Sequence, residues 1–554
     1  MRFQMTTKWK AWLIGLAALG LSGCGGSGSS NEVLGFFSTG QVKAQTGNAT
    51  VGFYAASRFA EQVSFGTNPA LVEEIRQKGF EKWIDDQFKL PVSQINVTPF
   101  LGYIEPLSPA LWNLYQKSYP NFSLNAPDQL RTRLAWSLSQ FIVVSDRKTN
   151  PEALLYWANM LQKYGEGNYA ELLYQVSVSP AMGHFLDNQQ NRPKSAECNH
   201  CAPNENYARE LMQLFALGVI KLNQDGTYVK NAKGAVVETY TQKEVEELAR
   251  VLTGWNFDPE PRVRGERNWG NWGKPMVPST WPPERDAGQK TVFGQVFPAG
   301  QSQVQDLRAA ISMLMAHQNI APFVSTRLIQ HFVKSNPTPA YVARVADKFK
   351  NNGAGVAGDM KAVVKAILLD PEARAGDSPL TIRKDDGKLR EPFLHVTSVW
   401  RGLSCKTFPE WDGGHIRTPD LQRPLSAESV FSYYAPTDRA PGSGLLSPEQ
   451  KLINASELTM RFRMATDTRQ GDSLRLLTTA GCDINALIDA YSTSPSAFND
   501  FLSARYFRGA MPPTLRSNIE QLIRNPQWNA TNISEGALRM LDYALASPYY
   551  GVIK

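Results

Sequence analysis

The sequence predicts a mainly α-helical protein, a large single-domain assembly of many helices. Apolar residues recur at helical spacing along most of the chain after residue 50, and helix start and stop signals flank these runs. Only two segments, 222–240 and 255–300, break the pattern. With 42% apolar and 20% charged residues among 554, the composition is that of an ordinary globular protein long enough to bury a large core.

The first 23 residues have the organisation of a secretory signal. Basic residues precede the apolar run Ala11–Leu21, whose 11 residues are too few to span a bilayer, which takes roughly 20. The sequence Leu21-Ser22-Gly23-Cys24 then resembles a bacterial lipoprotein signal, in which Cys24 is lipidated and becomes the mature N-terminus. The alternative is an ordinary signal peptide with a cysteine near its cleavage site. Gly25, rather than Asp, follows Cys24, and by the same resemblance this favours the outer membrane, facing the periplasm or the cell exterior.

Residues 24–50 are rich in Gly, Ser, Thr, Asn and Gln and are predicted to form a flexible, lipid-anchored tether. A chain of this length has a root-mean-square span of roughly 25–30 Å. We expect it to hold the helical domain, residues 51–554, clear of a membrane surface.

Several helices are predicted within that domain. Leu130, Leu134 and Leu138 follow one helical face, and Arg131 and Arg133 are expected on other faces. A second helix runs from Tyr207 to Phe215. Further helices are centred on residues 245–252, 323–332, 341–349, 363–367 and 538–545.

Helix ends carry their own signals. Gly218 is predicted as a residue that follows a helix C-terminus, and Asp359 as an N-cap. Thr241 and Glu244 match a capping box at the start of the helix around residue 245. Residues 222–240 are predicted to form a small β-hairpin, and residues 255–300 a long irregular insertion rich in Trp, Gly and Pro.

The charge argues against nucleic-acid binding. Loss of residues 1–23 removes three basic residues and lowers the net charge from +7 to +4, and the chain has no basic block.

Four cysteines remain besides Cys24, and an exported chain meets an oxidising compartment. Three full pairings are open. The C-x-x-C of Cys198 and Cys201 favours a structural disulfide, with Cys405 and Cys482 as a second pair. A zinc site would need ligands beyond His200, and no second paired motif supplies them.

Common cofactor and catalytic motifs are missing from the sequence. Gly353–Gly358 has the form G-x-G-x-x-G, but the segment before it has helical periodicity, so we interpret it as a loop between two helices rather than a dinucleotide site. There is no H-E-x-x-H, Walker A or G-x-S-x-G motif, and the six histidines have no metal-ligand spacing. The sequence predicts no metal and no cofactor.

Two groups of residues are candidates for a functional site. The first could provide paired carboxylates beside an arginine for acid–base chemistry, unless it is an ion-pair network that joins helices. Its members are Glu205, Arg209, Glu210, Glu244, Arg250 and Asp286. The second is aromatic and could stack on sugar rings or bind a partner, unless it forms a small satellite core. Its members are Trp255, Trp269, Trp272 and Trp281.

Twelve segments together resemble the bacterial family called domain of unknown function 1800, from about residue 55 to residue 554. They are Ala55–Phe59, Ser64–Gly66, Arg133–Phe141, Gly167–Tyr169, Ser179–Met182, Glu205–Phe215, Tyr240–Gln242, Leu252–Trp255, Ala321–Phe323, Arg327–Leu328, Gly387–Pro392 and Ser429–Phe431.

The resemblance implies export but no activity or catalytic residues. Its members are often encoded beside an exported alkaline-phosphatase-like family, which suggests a partner of that kind. Arg285 precedes Asp286 where the family usually has histidine, which weakens an acid–base or metal role there. The sequence therefore predicts an exported envelope lipoprotein that binds or scaffolds a partner protein or a glycan. The alternative is a periplasmic or surface hydrolase that uses the carboxylate and arginine cluster.

Overall fold

The computed structural model describes residues 50–101, 107–258, 271–383, 385–411, 415–416, 420–466, 473–525 and 532–554. The signal peptide, Cys24 and almost all of the tether lie outside these ranges, as does Trp269. Within them, no helix is both long enough and apolar enough to cross a membrane.

The structure confirms the predicted fold class, because the described chain is a single assembly of helices with only small two-stranded sheets. The helices of the N-terminal half are α1 (Phe53–Val63), α2 (Pro69–Lys78), α3 (Phe80–Gln87), α4 (Pro109–Asn125), α5 (Gln129–Ser139), α6 (Pro151–Tyr164), α7 (Tyr169–Val178), α8 (Pro180–Phe185), α9 (Asn206–Glu210) and α10 (Gln242–Val251). Those of the C-terminal half are α11 (Gln303–Ala316), α12 (Ile320–Phe332), α13 (Pro339–Lys350), α14 (Met360–Leu369), α15 (Pro371–Arg374), α16 (Pro392–Gly402), α17 (Ala455–Arg461), α18 (Ser473–Thr479), α19 (Ile484–Thr493), α20 (Pro495–Tyr506), α21 (Pro513–Arg524) and α22 (Ile533–Leu545).

Four antiparallel pairs of short strands complete the described fold. They are β1 (Trp255–Asn256) with β2 (Val277–Pro278), β3 (Lys290–Val292) with β4 (Gln295–Phe297), β5 (Lys388–Leu389) with β8 (Val552–Ile553), and β6 (Glu410–Trp411) with β7 (His415–Ile416). The first two pairs lie in the segment 255–300, so the insertion is not wholly irregular as predicted. The predicted hairpin at 222–240 is a meander of isolated antiparallel bridges, such as Leu222 with Tyr228 and Lys230 with Val236.

The predicted helix ends are confirmed. Thr241 and Glu244 form the capping box of α10, and Gly218 has a φ of +73° after the helical segment. Gly353–Gly358 is the loop between α13 and α14, where Asp359 Oδ1 accepts hydrogen bonds from the backbone N–H groups of Lys361 and Ala362 at 3.1 and 3.2 Å.

Loss of this cap should weaken the fold modestly. We expect Asp359→Ala to lower the free energy of unfolding by about 1 kcal/mol, because two N–H groups of the first turn lose their acceptor. Asp359→Asn keeps an acceptor oxygen and should retain most of that stability. Urea unfolding of the three proteins measures the difference, and equal losses in both variants would contradict the capping role.

One contiguous apolar core extends from α1 to β8, and buried ion pairs join distant parts of the chain across it. Glu61 on α1 accepts from Arg390 at 2.8 Å and from Arg508 at 2.7 Å. Arg58, one turn earlier, donates from Nε to the backbone oxygen of Lys554 at 2.7 Å. The first described helix is therefore held by residues from the middle and the end of the sequence.

Candidate functional site

The carboxylate and arginine residues predicted as one cluster lie in separate groups. Glu205 pairs with Arg209 at 2.7 Å, and both side chains bond to Gln242 at the start of α10. Glu244 accepts from the backbone N–H of Thr241 at 2.9 Å and so caps the same helix. These groups are mostly exposed and tie α9 to α10, which is the structural alternative considered for this cluster.

Arg250 and Asp286 lie at the other end of α10. Arg250 Nε donates to Asp286 Oδ2 at 2.8 Å, and Nη1 donates to Glu247 at 2.8 Å. Arg285 donates to the backbone oxygen of Val251 at 3.0 Å and pairs with the buried Asp306. Arg285 and Asp286 thus fasten the insertion to the end of α10. Glu205 lies at the opposite end of that helix, beside Gln242.

Glu210 differs from the other members because it is buried. Its Oε2 has no hydrogen-bond partner in the described chain. Burial raises the pKa of Glu210, and the positive charge of Arg209 only partly offsets this.

We expect Glu210→Gln to raise stability at neutral pH, by about 1 kcal/mol or less, because the neutral amide avoids the desolvation of an unpaired carboxylate. A raised folded-state pKa means that ionisation costs stability above the unfolded-state pKa. The difference between variant and wild type should therefore shrink as the pH falls from neutral towards the unfolded-state pKa of about 4.3, and it should be small below that pH. Thermal unfolding from pH 3.5 to 8 measures it, and a variant less stable at every pH would contradict this assignment.

Two of the three described tryptophans of the insertion are core residues. Trp255 is 1% exposed and Trp272 is 9% exposed, with Trp272 packed edge-on against His184 and Phe257. Their rings cannot stack on a glycan without unfolding the insertion, so they match the satellite core. Trp281 is 42% exposed, and the Arg192 guanidinium lies 5.7 Å from its ring centroid.

The cysteines form the two favoured disulfides, Cys198–Cys201 and Cys405–Cys482. The side chains of Cys198, His200 and Cys201 lie close enough together to hold a metal ion. Both sulfurs are oxidised here, so they are not thiolate ligands.

A pocket that sequence reasoning missed lies between α5, α12 and the segment 430–436. We call it the Arg327 pocket; its volume is about 170 Å³. Its lining is formed by Gln140, Phe141, Gln213, Leu214, Gly218, Val219, Phe323, Arg327, His331, Val430, Phe431, Tyr434 and Pro436.

One face of α12 provides the polar side of this pocket. Phe323, Arg327 and His331 follow each other at intervals of four residues, which places them in a row along the helix. The Arg327 guanidinium lies 5.1 Å from the Phe323 ring centroid, and its Nη1 donates to Gln330 at 3.2 Å. No carboxylate in the described chain forms a salt bridge with it. Burial lowers the pKa of Arg327 to about 10, so it remains a cation at neutral pH.

His331 lies one turn deeper and is buried. Its ring stacks on Phe141 with centroids 6.3 Å apart, and its Nδ1 has no hydrogen-bond partner among the described residues. Burial, reinforced by the charge of Lys388, lowers the pKa of His331 well below its usual value, so the imidazole is neutral at pH 7. His331 therefore adds an uncharged ring to the wall of the pocket.

Gln140 adds a second unsatisfied group. Its Nε2 donates to Ser139 at 3.1 Å, but its Oε1 is buried and accepts from no described residue. A buried acceptor without a partner costs about 1–3 kcal/mol. Like His331 Nδ1, this oxygen is fully buried, so both atoms lie behind the surface of the cavity.

A buried network fixes the wall behind the pocket. Glu391 accepts from Trp136 Nε1 at 3.2 Å, from Gln422 Nε2 at 2.7 Å and from the Tyr434 hydroxyl at 3.0 Å. Arg133 donates to the backbone oxygen of His331 at 2.7 Å. Tyr434 and the end of α12 are therefore held in place before any ligand arrives.

The remaining lining comes from a π-helical segment, Leu211–Ala216, that continues α9. The sequence predicted an uninterrupted α-helix here. π-helical turns insert an extra residue and are frequent at functional sites. In this chain the segment contributes Gln213 and Leu214 to the pocket, and the Gln213 side chain accepts from the Tyr240 hydroxyl at 3.4 Å.

Most of the lining belongs to the segments that carry the family resemblance. Gln140 and Phe141 end one such segment, Gln213 and Leu214 lie in another, and the remaining contributions are Phe323, Arg327, Val430 and Phe431. The four parts of the lining that these segments contribute are more than 70 residues apart along the chain and meet at one cavity; they are residues 140–141, 213–214, 323 with 327, and 430–431. The family resemblance of these segments was the signal that could have pointed to the site.

Comparison with known proteins agrees with the resemblance. Residues 58–552 match the model of the family described as "Protein of unknown function (DUF1800)". Searches of curated proteins and of solved structures gave no match. Because the family model covers nearly the whole chain, the protein belongs to the DUF1800 family.

Proposed function

We propose that the protein is a lipid-anchored binding protein of the cell envelope whose ligand occupies the Arg327 pocket. One observation carries the proposal: the partly buried Arg327 guanidinium, which has no carboxylate partner in the described chain, lines a preformed cavity with mostly apolar walls. Concave sites with apolar walls and a few convergent polar groups are typical of ligand binding.

The lining favours binding over hydrolysis. It contains no Ser, Thr, Cys, Asp or Glu, so it provides neither a nucleophile beside a base nor a pair of carboxylates. Two carboxylates of the alternative, a hydrolase, already have structural partners, because Glu205 pairs with Arg209 and Glu244 caps α10. His331 is the one lining group whose ordinary pKa lies near neutral pH.

The envelope location is supported by the sequence features around Cys24. A lipid on Cys24 and the tether 24–50 would hold the pocket near an outer-membrane surface. Intact-mass analysis of detergent-extracted protein tests this, because an unmodified Cys24 would contradict lipidation. An alkaline-phosphatase-like exported protein or a glycan remains the expected larger partner.

Fragment binding tests the pocket itself. Ligand-observed NMR with a library of neutral, cationic and anionic fragments should give hits for the wild-type full chain that Arg327→Leu loses. Arg308→Leu is the matched control, since Arg308 also lies over an aromatic ring, that of Tyr174, at 4.2 Å and lines no part of the pocket. If no hit depends on Arg327, the proposed function is wrong.

A further inference from the structure

We infer that the Arg327 pocket binds a carboxylate that carries one ring-sized apolar group. The inference rests on the proposed function and names the chemical class of its ligand. Each of the two parts of this description follows from a different set of lining residues.

The carboxylate follows from the charge of the lining. Arg327 is the one cationic side chain among the lining residues, and only its Nη1 has a partner in the described chain. A planar guanidinium with free N–H groups matches a carboxylate in fork geometry. Phosphate sites gather several cations or backbone N–H groups, whereas this lining offers a single charge.

The apolar group follows from the volume and the walls. A cavity of about 170 Å³ is close to the 150 Å³ that holds one benzene ring in an engineered protein core. Phe141, Leu214 and Phe323 supply apolar walls for a ring or a branched aliphatic group. At the mouth, Val219 is 49% and Phe431 is 53% exposed, so any further apolar part of the ligand meets an apolar rim.

Isothermal titration calorimetry with the full chain tests the class. The probe is 3-phenyllactate, and its amide is the neutral control. We expect the acid to bind at least about tenfold more tightly than the amide, because a charge-assisted fork is lost in the amide. Arg327→Leu should abolish the difference, Arg327→Lys should retain part of it, and Arg308→Leu should leave it unchanged. Circular dichroism and thermal unfolding establish that each variant is folded.

A second comparison distinguishes two sources of such a carboxylate, a free acid and the C-terminal residue of a polypeptide. N-acetylphenylalanine and a pentapeptide ending in phenylalanine distinguish the two sources, since a free-acid site accepts only the former and a chain-terminus site accepts both.

Three results would overturn the inference: equal binding of acid and amide, acid binding that survives Arg327→Leu, or displacement by millimolar inorganic phosphate. Neutral or cationic fragments that bind in an Arg327-dependent way would overturn the ligand class but leave the proposed function standing.

Discussion

Replacing Glu391 with glutamine should lower the free energy of unfolding by about 3 kcal/mol at pH 7. Burial alone would raise the pKa of this carboxyl, but the positive charges of Lys388 and Arg133 reverse the effect and lower it from 4.5 to about 2. Glutamine keeps the shape of the side chain and removes the charge that compensates the two cations.

The pH dependence gives this prediction its sign. A carboxyl with a depressed folded-state pKa contributes stability above its unfolded-state pKa and loses it as the pH falls through the folded-state value. The wild type should therefore lose this contribution between about pH 4.5 and pH 2, and Glu391→Gln should not.

Denaturant unfolding at pH 7 and across the acid range measures both effects. Glu428→Gln is the matched control, because Glu428 forms an exposed ion pair with Arg147 and should change stability by less than about 1 kcal/mol. A loss below about 1 kcal/mol in Glu391→Gln would show that the network behind the pocket adds little to the fold.

The second large effect concerns the disulfide Cys405–Cys482. The two cysteines are 77 residues apart, and the bond joins the end of α16 to the turn between α18 and α19. In the chain-entropy account a loop of this length is worth about 4 kcal/mol. Cys198 and Cys201 are 3 residues apart, and the same account gives about 2 kcal/mol or less.

We therefore expect Cys405→Ala with Cys482→Ala to destabilise the protein about twice as much as Cys198→Ala with Cys201→Ala. Thermal and urea unfolding of the two double variants measure the ratio. Wild type treated with dithiothreitol should approach the quadruple variant. Equal losses in the two double variants would mean that loop length does not decide the effect here.

Local patterns predicted the helices well, because the apolar spacing and the capping residues that indicate a helix lie within it or directly beside it. The capping box at Thr241 and Glu244, the N-cap Asp359 and the loop 353–358 were all identified in this way. The same patterns placed Arg131 and Arg133 on other faces than the leucines but did not show that those faces are buried too. Both are buried on α5, where Arg131 pairs with Asp128 and Glu166, and Arg133 bonds to the end of α12.

The pocket could not be predicted from the spacing of residues, because its lining comes from distant parts of the sequence. Arg327 looks like an ordinary polar residue on an amphipathic helix, and only the fold shows that no carboxylate reaches it. Gln140 lies at the end of α5, and its neighbours in sequence give no sign that its oxygen is buried and unsatisfied. Such features depend on contacts between residues more than 70 positions apart.

The contacts between α1 and the last residues of the chain can form only late in its synthesis. Ribosomes add about 5–20 residues per second, and 496 positions separate Arg58 from Lys554, so the two meet on the order of 25–100 s after Arg58 is made. The interval between the synthesis of Glu61 and that of Arg508 is nearly as long. Burying either charge before its partner exists is unfavourable. The first described helix is therefore among the last to reach its final contacts.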